Sequence, residues 1–190
     1  MIEIRMHGRG GQGAVVACKI LSSALFKEGK FSQSFPAFGV ERRGAPVMAF
    51  IRIDNKPIHL RTEIYEPDHL IILDPTLLQT VDVTSGLKPE GTVLINSPFP
   101  GEHFDLSKKF TVATVDASKI AVRHHLGSRS APIVNTAILG AFSRLTGVVG
   151  LEALVEALQE SVPIHPEENA AATRDAYREL FITNTVQPQE

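Results

Sequence analysis

Gly8-Arg9-Gly10-Gly11-Gln12-Gly13, the stretch GRGGQG, follows a short strand-like run over Ile2–His7 and opens an apolar helical pattern over Ala14–Lys27. Gly8, Gly10 and Gly13 form a G-x-G-x-x-G at a strand-to-helix junction. In that context glycines let the chain take positive φ and bring backbone N–H groups up to an anion. The spacing predicts an α/β protein with a Rossmann-like glycine-rich first turn. A nicotinamide site needs one more element, an Asp or Glu about 20 residues on that holds the ribose hydroxyls. The predicted second strand, FSQSF at Phe31–Phe35, contains no acid, and Glu41 comes only after Pro36, with Arg42 and Arg43 directly behind it. The residues therefore describe an anion-type turn without naming its ligand, and an independent nicotinamide or flavin oxidoreductase stands as the competing reading.

Working outward, strand and helix patterns alternate. Val47–Ile53 (VMAFIRI) is strongly apolar, and Asp54-Asn55-Lys56-Pro57 supplies turn residues before IHLR at 58–61, so this pair is predicted to form a β-hairpin. His69–Asp74, Thr92–Asn96 and Thr111–Asp116 read as buried strands, each ending in a polar residue at the place where open α/β sheets receive ligands. Asp74 and Asp116 are expected chiefly to cap the helical turns that follow them. Helices are predicted over Ser118–Leu126, Asn135–Thr146, Leu151–Val162 and Pro166–Phe181; Leu151, Leu154, Val155, Leu158 and Val162 share one face of the third. The expected architecture is a single three-layer α/β domain over residues 1–184, with a mostly parallel, mixed sheet containing one hairpin and a helical C-terminal part. Residues 185–190 are expected to be a flexible tail.

Composition narrows the function. A chain of 190 residues with 43% hydrophobic content suits one domain, and a net charge of −2 without extended basic clusters gives no nucleic-acid surface. No apolar run approaches the roughly 20 residues of a membrane span, and the N-terminus lacks a signal pattern, so a cytoplasmic protein is expected. Cys18 is the single cysteine, and an iron–sulfur cluster usually needs four, so this chain alone is not expected to carry one. Cys18 falls in the first helix and is read as a buried core thiol. Ser22 and Ser23 have no base near them in sequence. The adjacent His124 and His125 would diverge by about 100° on a helix, so they are read as surface or interface residues.

The loop FPAFGVERRGAP, at 35–46, places Phe38 and Val40 beside Glu41, Arg42 and Arg43 directly before the strongest strand. Arginine suits planar pairing with carboxylate or phosphate and is enriched in interfaces, so this loop is read as a contact surface.

Taken together, MHGRGGQGAVVACKIL, FGVERRGAPVMAFIRI and APIVNTAILGAF near residue 131 resemble the gamma subunit of the 2-oxoacid:ferredoxin oxidoreductases over roughly residues 1 to 180. Val40 departs from the pattern, standing where many relatives carry proline. The resemblance implies a part of a larger enzyme that oxidatively decarboxylates a 2-oxoacid, joins the acyl group to coenzyme A and passes electrons to ferredoxin. It implies alpha, beta and delta partner subunits, thiamine diphosphate between alpha and beta, and iron–sulfur clusters in beta and delta. It assigns no catalytic, metal or tightly held cofactor site to this chain, and neither nucleic acid nor membrane as a partner. Gly8, Arg9, Gly10, Gly11, Gln12 and Gly13 then either meet a phosphate of coenzyme A or pack against a neighbouring subunit, with Arg9 and Gln12 touching whichever is present.

Overall fold

The computed structural model describes residues 1–37 and 42–183. Seven strands form one sheet in the order β2 (Phe31–Pro36), β3 (Pro46–Asp54), β1 (Ile2–Arg9), β4 (His69–Ile72), β5 (Thr92–Asn96), β6 (Thr111–Val115) and β9 (Phe181–Thr183). β1, β4, β5 and β6 are parallel, while β3 runs antiparallel to both β1 and β2. β9 is antiparallel to β6. Since β2 opposes β3 and β3 opposes β1, five of the seven strands point the same way, and the sheet is mixed with a parallel majority as expected. A two-residue ladder joins β7 (Gly127–Ser128) to β8 (Ala131–Pro132).

The hairpin lies elsewhere than expected. IHLR at 58–61 forms no strand, and β3 pairs instead with the preceding β2, from Phe31↔Asp54 to Pro36↔Ala49. A strand has two edges, and β1 and β2 occupy both edges of β3, so no place remains for a third partner. The C-terminal part also differs at its end. The last helix stops at Arg178 and the described residues end in the strand β9, so Phe181 is a strand residue.

The helices are α1 (Ala14–Lys27), α2 (Ala117–Arg123), α3 (Ala137–Thr146), α4 (Leu151–Ser161) and α5 (Pro166–Arg178). They cover one face of the sheet. Alternation along β1 explains why: Ile4 and Met6 enter the core with Leu21 and Leu25 of α1, while Glu3, Arg5 and His7 point to the opposite face. Each fully buried Leu or Ile on the helical side contributes roughly 1.5–3 kcal/mol. The other face is covered by irregular chain, with Leu77, Val83 and Leu87 over Leu70, Ile72, Val93, Ile95 and Val112. The three layers are thus helices, sheet, and a layer of 3₁₀ turns and loops.

Polar side chains on that second face are buried with partners. Arg5 donates to His7 Nε2 at 3.1 Å and to the carbonyls of Val83 and Ser85 at 2.9 and 2.6 Å. Arg52 donates to Glu3 at 2.8 Å and lies over the ring of Phe35. The expected tail at 185–190 lies outside the described residues.

Candidate functional site: a crevice at the glycine turn

β1 and β4 are neighbours whose chains leave in opposite directions, β1 toward β2 on one side and β4 toward β5 on the other. Such a reversal opens a crevice beyond the carboxyl ends of the strands, the usual ligand position in open α/β sheets. A crevice of about 500 Å³ lies there, lined by Gly11, Gln12 and Gly13, by Asp74 after β4 and Asn96 at the end of β5, and by the Ser130–Asn135 segment.

The glycine turn is shaped by two close approaches. At Gly10 the backbone zips onto the segment before β3: its N–H donates to the Ala45 carbonyl at 2.9 Å and its own carbonyl accepts from Gly44 N at 3.0 Å. A Cβ at Gly10 would run into the Arg42 carbonyl. Gly13 is the N-cap of α1 with φ of 79°, and a Cβ there would strike the amide of Asn135. Asn135 Nδ2 in turn donates to the Gly13 carbonyl at 3.2 Å. The start of α1, whose backbone donors have no side-chain cap, therefore borders the crevice.

Arg9 and Gln12 turn onto Asp74. Arg9 Nε donates to Asp74 Oδ2 at 2.9 Å, while its two terminal nitrogens reach the Gly44 carbonyl at 3.1 Å and Thr76 Oγ1 at 2.8 Å. Gln12 Nε2 donates to the same Oδ2 at 3.3 Å and Gln12 Oε1 accepts from Arg9 N at 2.8 Å. Oδ1 of Asp74 accepts from Thr76 N at 3.0 Å and Thr76 Oγ1 at 2.6 Å, so Asp74 caps the 3₁₀ turn at Pro75–Gln79 as expected. Burial works against its ionisation, but the hydrogen bonds from Thr76 and Arg9 and the Arg9 charge outweigh it and hold the carboxyl below its ordinary value. Asp116 likewise caps α2 through Lys119 N at 2.8 Å.

Among the expected contact residues, Arg42 and Arg43 are exposed, and Arg43 forms a parallel bridge with Gly10. The structure thus sets these two arginines beside the glycine turn. Phe38, Val40 and Glu41 lie outside the described residues. His124 is tied to Asp175 of α5 at 2.8 Å. Cys18 is buried, and burial pushes its thiol up to about 12, which suits neither a nucleophile nor a cluster ligand. Among the described residues no group of three or more His, Cys, Asp and Glu side chains is placed to hold a metal ion, and no helix is long and apolar enough to cross a membrane. Ser118, Ser130 and Asn135 are not among the site residues expected from sequence, and Asn96 enters there only as the polar end of a buried strand. Polar residues at the ends of buried strands and at the mouth of a helix were the available signal.

Residues 3–179 match the family described as pyruvate ferredoxin/flavodoxin oxidoreductase. The chain belongs to this family. Within the pyruvate ferredoxin/flavodoxin oxidoreductase family it is a gamma subunit of a multi-subunit 2-oxoacid:ferredoxin oxidoreductase, and nothing supports an independent nucleotide-binding enzyme. It is 54% identical over 186 residues, 96% of this chain and 98% of the other, to the pyruvate/ketoisovalerate oxidoreductases common subunit gamma of Thermococcus kodakarensis. The crystal structure of pyruvate oxidoreductase subunit PORC from Thermotoga maritima aligns with a TM-score of 0.81 at 34% identity, covering 96% of this chain and 98% of that one. A 2-oxoglutarate:ferredoxin oxidoreductase from Magnetococcus marinus, with 2-oxoglutarate, coenzyme A and succinyl-CoA bound, shares the fold at 21% identity and a TM-score of 0.69. The alignment covers all of this chain and 33% of that one.

Proposed function

We propose that this gamma subunit supplies the coenzyme A-facing wall of its complex together with an assembly surface, and that the isolated chain is inactive. Thiamine diphosphate then sits between the alpha and beta subunits, and the clusters that deliver electrons to ferredoxin lie in beta and delta, all in the cytoplasm. The single buried thiol of this chain agrees with clusters held elsewhere. The oxoacid is selected mainly by the partner subunits. That a Thermococcus relative is named a common subunit of pyruvate and ketoisovalerate oxidoreductases agrees with a gamma subunit that serves more than one donor.

The supporting observation is the crevice. Gly13 at the N-cap of α1, Asn135, Ser118 and Ser130 border a space of about 500 Å³ whose one carboxylate among the described residues, Asp74, is already paired with Arg9. A helix start with free amides suits a phosphate. Gly10 and Gly13 are used for close packing within the chain, which leaves Gly11 and Gln12, lining the crevice, as the part of the turn proposed to meet a phosphate or a neighbouring subunit. Arg42 and Arg43, beside the turn, are the proposed second contact region for a partner subunit or for coenzyme A.

Ser130→Glu in the assembled complex tests the crevice by placing a carboxylate where the phosphate is proposed. The KM for coenzyme A rises about tenfold, one charge–charge contact in a partly solvated site, with the KM for the oxoacid unchanged. If neither moves, the crevice is not the coenzyme A wall.

A further inference from the structure

Among the described residues Asp74 is the one ionisable side chain lining the crevice, in a position where a phosphate-bearing ligand would meet its negative charge. Its acceptor sites are all in use: Oδ2 takes Arg9 Nε and Gln12 Nε2, and Oδ1 takes the N–H and hydroxyl of Thr76. A carboxylate held in this way has no lone pair left to serve as a base or to bind a donor on the ligand. Arg9 is itself fixed at three points, Asp74, Thr76 and the Gly44 carbonyl, and its backbone N–H is held by Gln12. Its guanidinium is therefore committed inside the protein and is not free to swing onto a ligand phosphate.

We infer that Arg9 is a positioning residue that acts through Asp74: it cancels the carboxylate in the wall of the crevice and thereby permits an anionic, phosphate-bearing ligand to bind beside the glycine turn. This rests on the coenzyme A reading of the crevice. The cap of the 3₁₀ turn explains why an acid stands there at all, since Asp is among the strongest N-caps and an ionised oxygen accepts both Thr76 donors. Arg9 reconciles that local requirement with an anion next door. Two roles are thereby joined in one sequence element: the same GRGGQG turn that presents backbone amides also carries the cation that silences the nearest carboxylate.

The test is equilibrium binding of coenzyme A to the assembled complex, together with the KM values for coenzyme A and for the oxoacid, across Arg9→Gln, Arg9→Lys, Asp74→Asn and the double variant Arg9→Gln/Asp74→Asn. Arg9→Gln exposes the carboxylate and weakens coenzyme A about tenfold in Kd and KM, while the oxoacid KM is unmoved. Arg9→Lys keeps the charge but not the three-point fork, so it loses less affinity than Arg9→Gln without matching the parent. The double variant, which removes both charges, returns to near the parent affinity, a recovery that a purely structural role for Arg9 would not produce. Loss of affinity in the double variant equal to that in Arg9→Gln, or an unchanged Kd in Arg9→Gln, overturns the inference. Ser130→Glu separates the two levels: if it weakens coenzyme A and Arg9→Gln does not, the crevice reading stands and the role of Arg9 falls.

Discussion

Replacing His7 with glutamine isolates the energetic effect of one buried imidazole on acid stability. His7 lies in β1 on the irregular face, 3% exposed, with Nε2 accepting from Arg5 Nε at 3.1 Å. Burial first, and then the adjacent Arg5 cation, lower its pKa from 6.5 to about 4. The folded protein therefore holds His7 neutral at pH values where the unfolded chain already binds a proton. The stability this represents is complete above about pH 6.5 and is lost as pH falls through the window down to about 4, below which both states are protonated. At 1.36 kcal/mol per unit the loss across that window is about 3 kcal/mol.

Glutamine at position 7 keeps an oxygen acceptor for Arg5 but does not titrate. Urea unfolding followed by far-ultraviolet circular dichroism, at intervals from pH 8 to pH 4, gives the free energy of both proteins. Carboxylates that also titrate, Asp74 and Asp175 among them, are common to the two and cancel in the difference. The variant is less stable at pH 7 because an off-shape side chain replaces a packed ring, but the gap narrows by about 3 kcal/mol on going to pH 4. A gap that stays constant across the window refutes the reasoning and would mean that His7 is solvated or already charged in the folded state.

Two further perturbations test other parts of the structure. Glu3→Gln removes the charge opposite Arg52, which is 1% exposed and has one guanidinium nitrogen without a hydrogen-bond partner. It should cost about 3 kcal/mol, whereas Glu3→Gln with Arg52→Met should recover most of that loss; denaturant midpoints decide, and equal losses would show that the buried cation does not depend on Glu3. Arg42→Ala with Arg43→Ala should lower the fraction of gamma subunit that co-purifies with its partners or raise the KM for coenzyme A severalfold. Unchanged assembly together with unchanged KM removes both residues from the contact surface.

The sequence disclosed the strand, glycine turn and first helix because their signals are local: alternation in IEIRMH, a run of glycines of which Gly11 and Gly13 have positive φ, and a buried stripe from Ala14 to Leu25. It also disclosed the capping roles of Asp74 and Asp116, which depend on residues two or three positions away. The partner of β3 was not legible, since Asp54-Asn55-Lys56-Pro57 marks where the strand ends without saying what pairs with it. That choice was made by β1 and β2, the second of them a weak strand with Ser32, Gln33 and Ser34 at its centre. The crevice was half legible. Its floor follows from the glycine turn and the strand ends, but Asn135 reaches Gly13 across 122 positions of sequence, and no local pattern announces such a contact.

β3 lies between β1 and β2, although it follows both in the chain. The two earlier strands are therefore two spacings apart, roughly 10 Å, and share no hydrogen bond of their own. Residues 2–36 therefore hold two strands and a helix that cannot by themselves make the native ladder, and the wedge that joins them, Pro46–Asp54, comes from further along the chain. Residues 49–53 of the wedge are fixed from two sides, so a one-residue slip of β3 would have to break register with both neighbours at once.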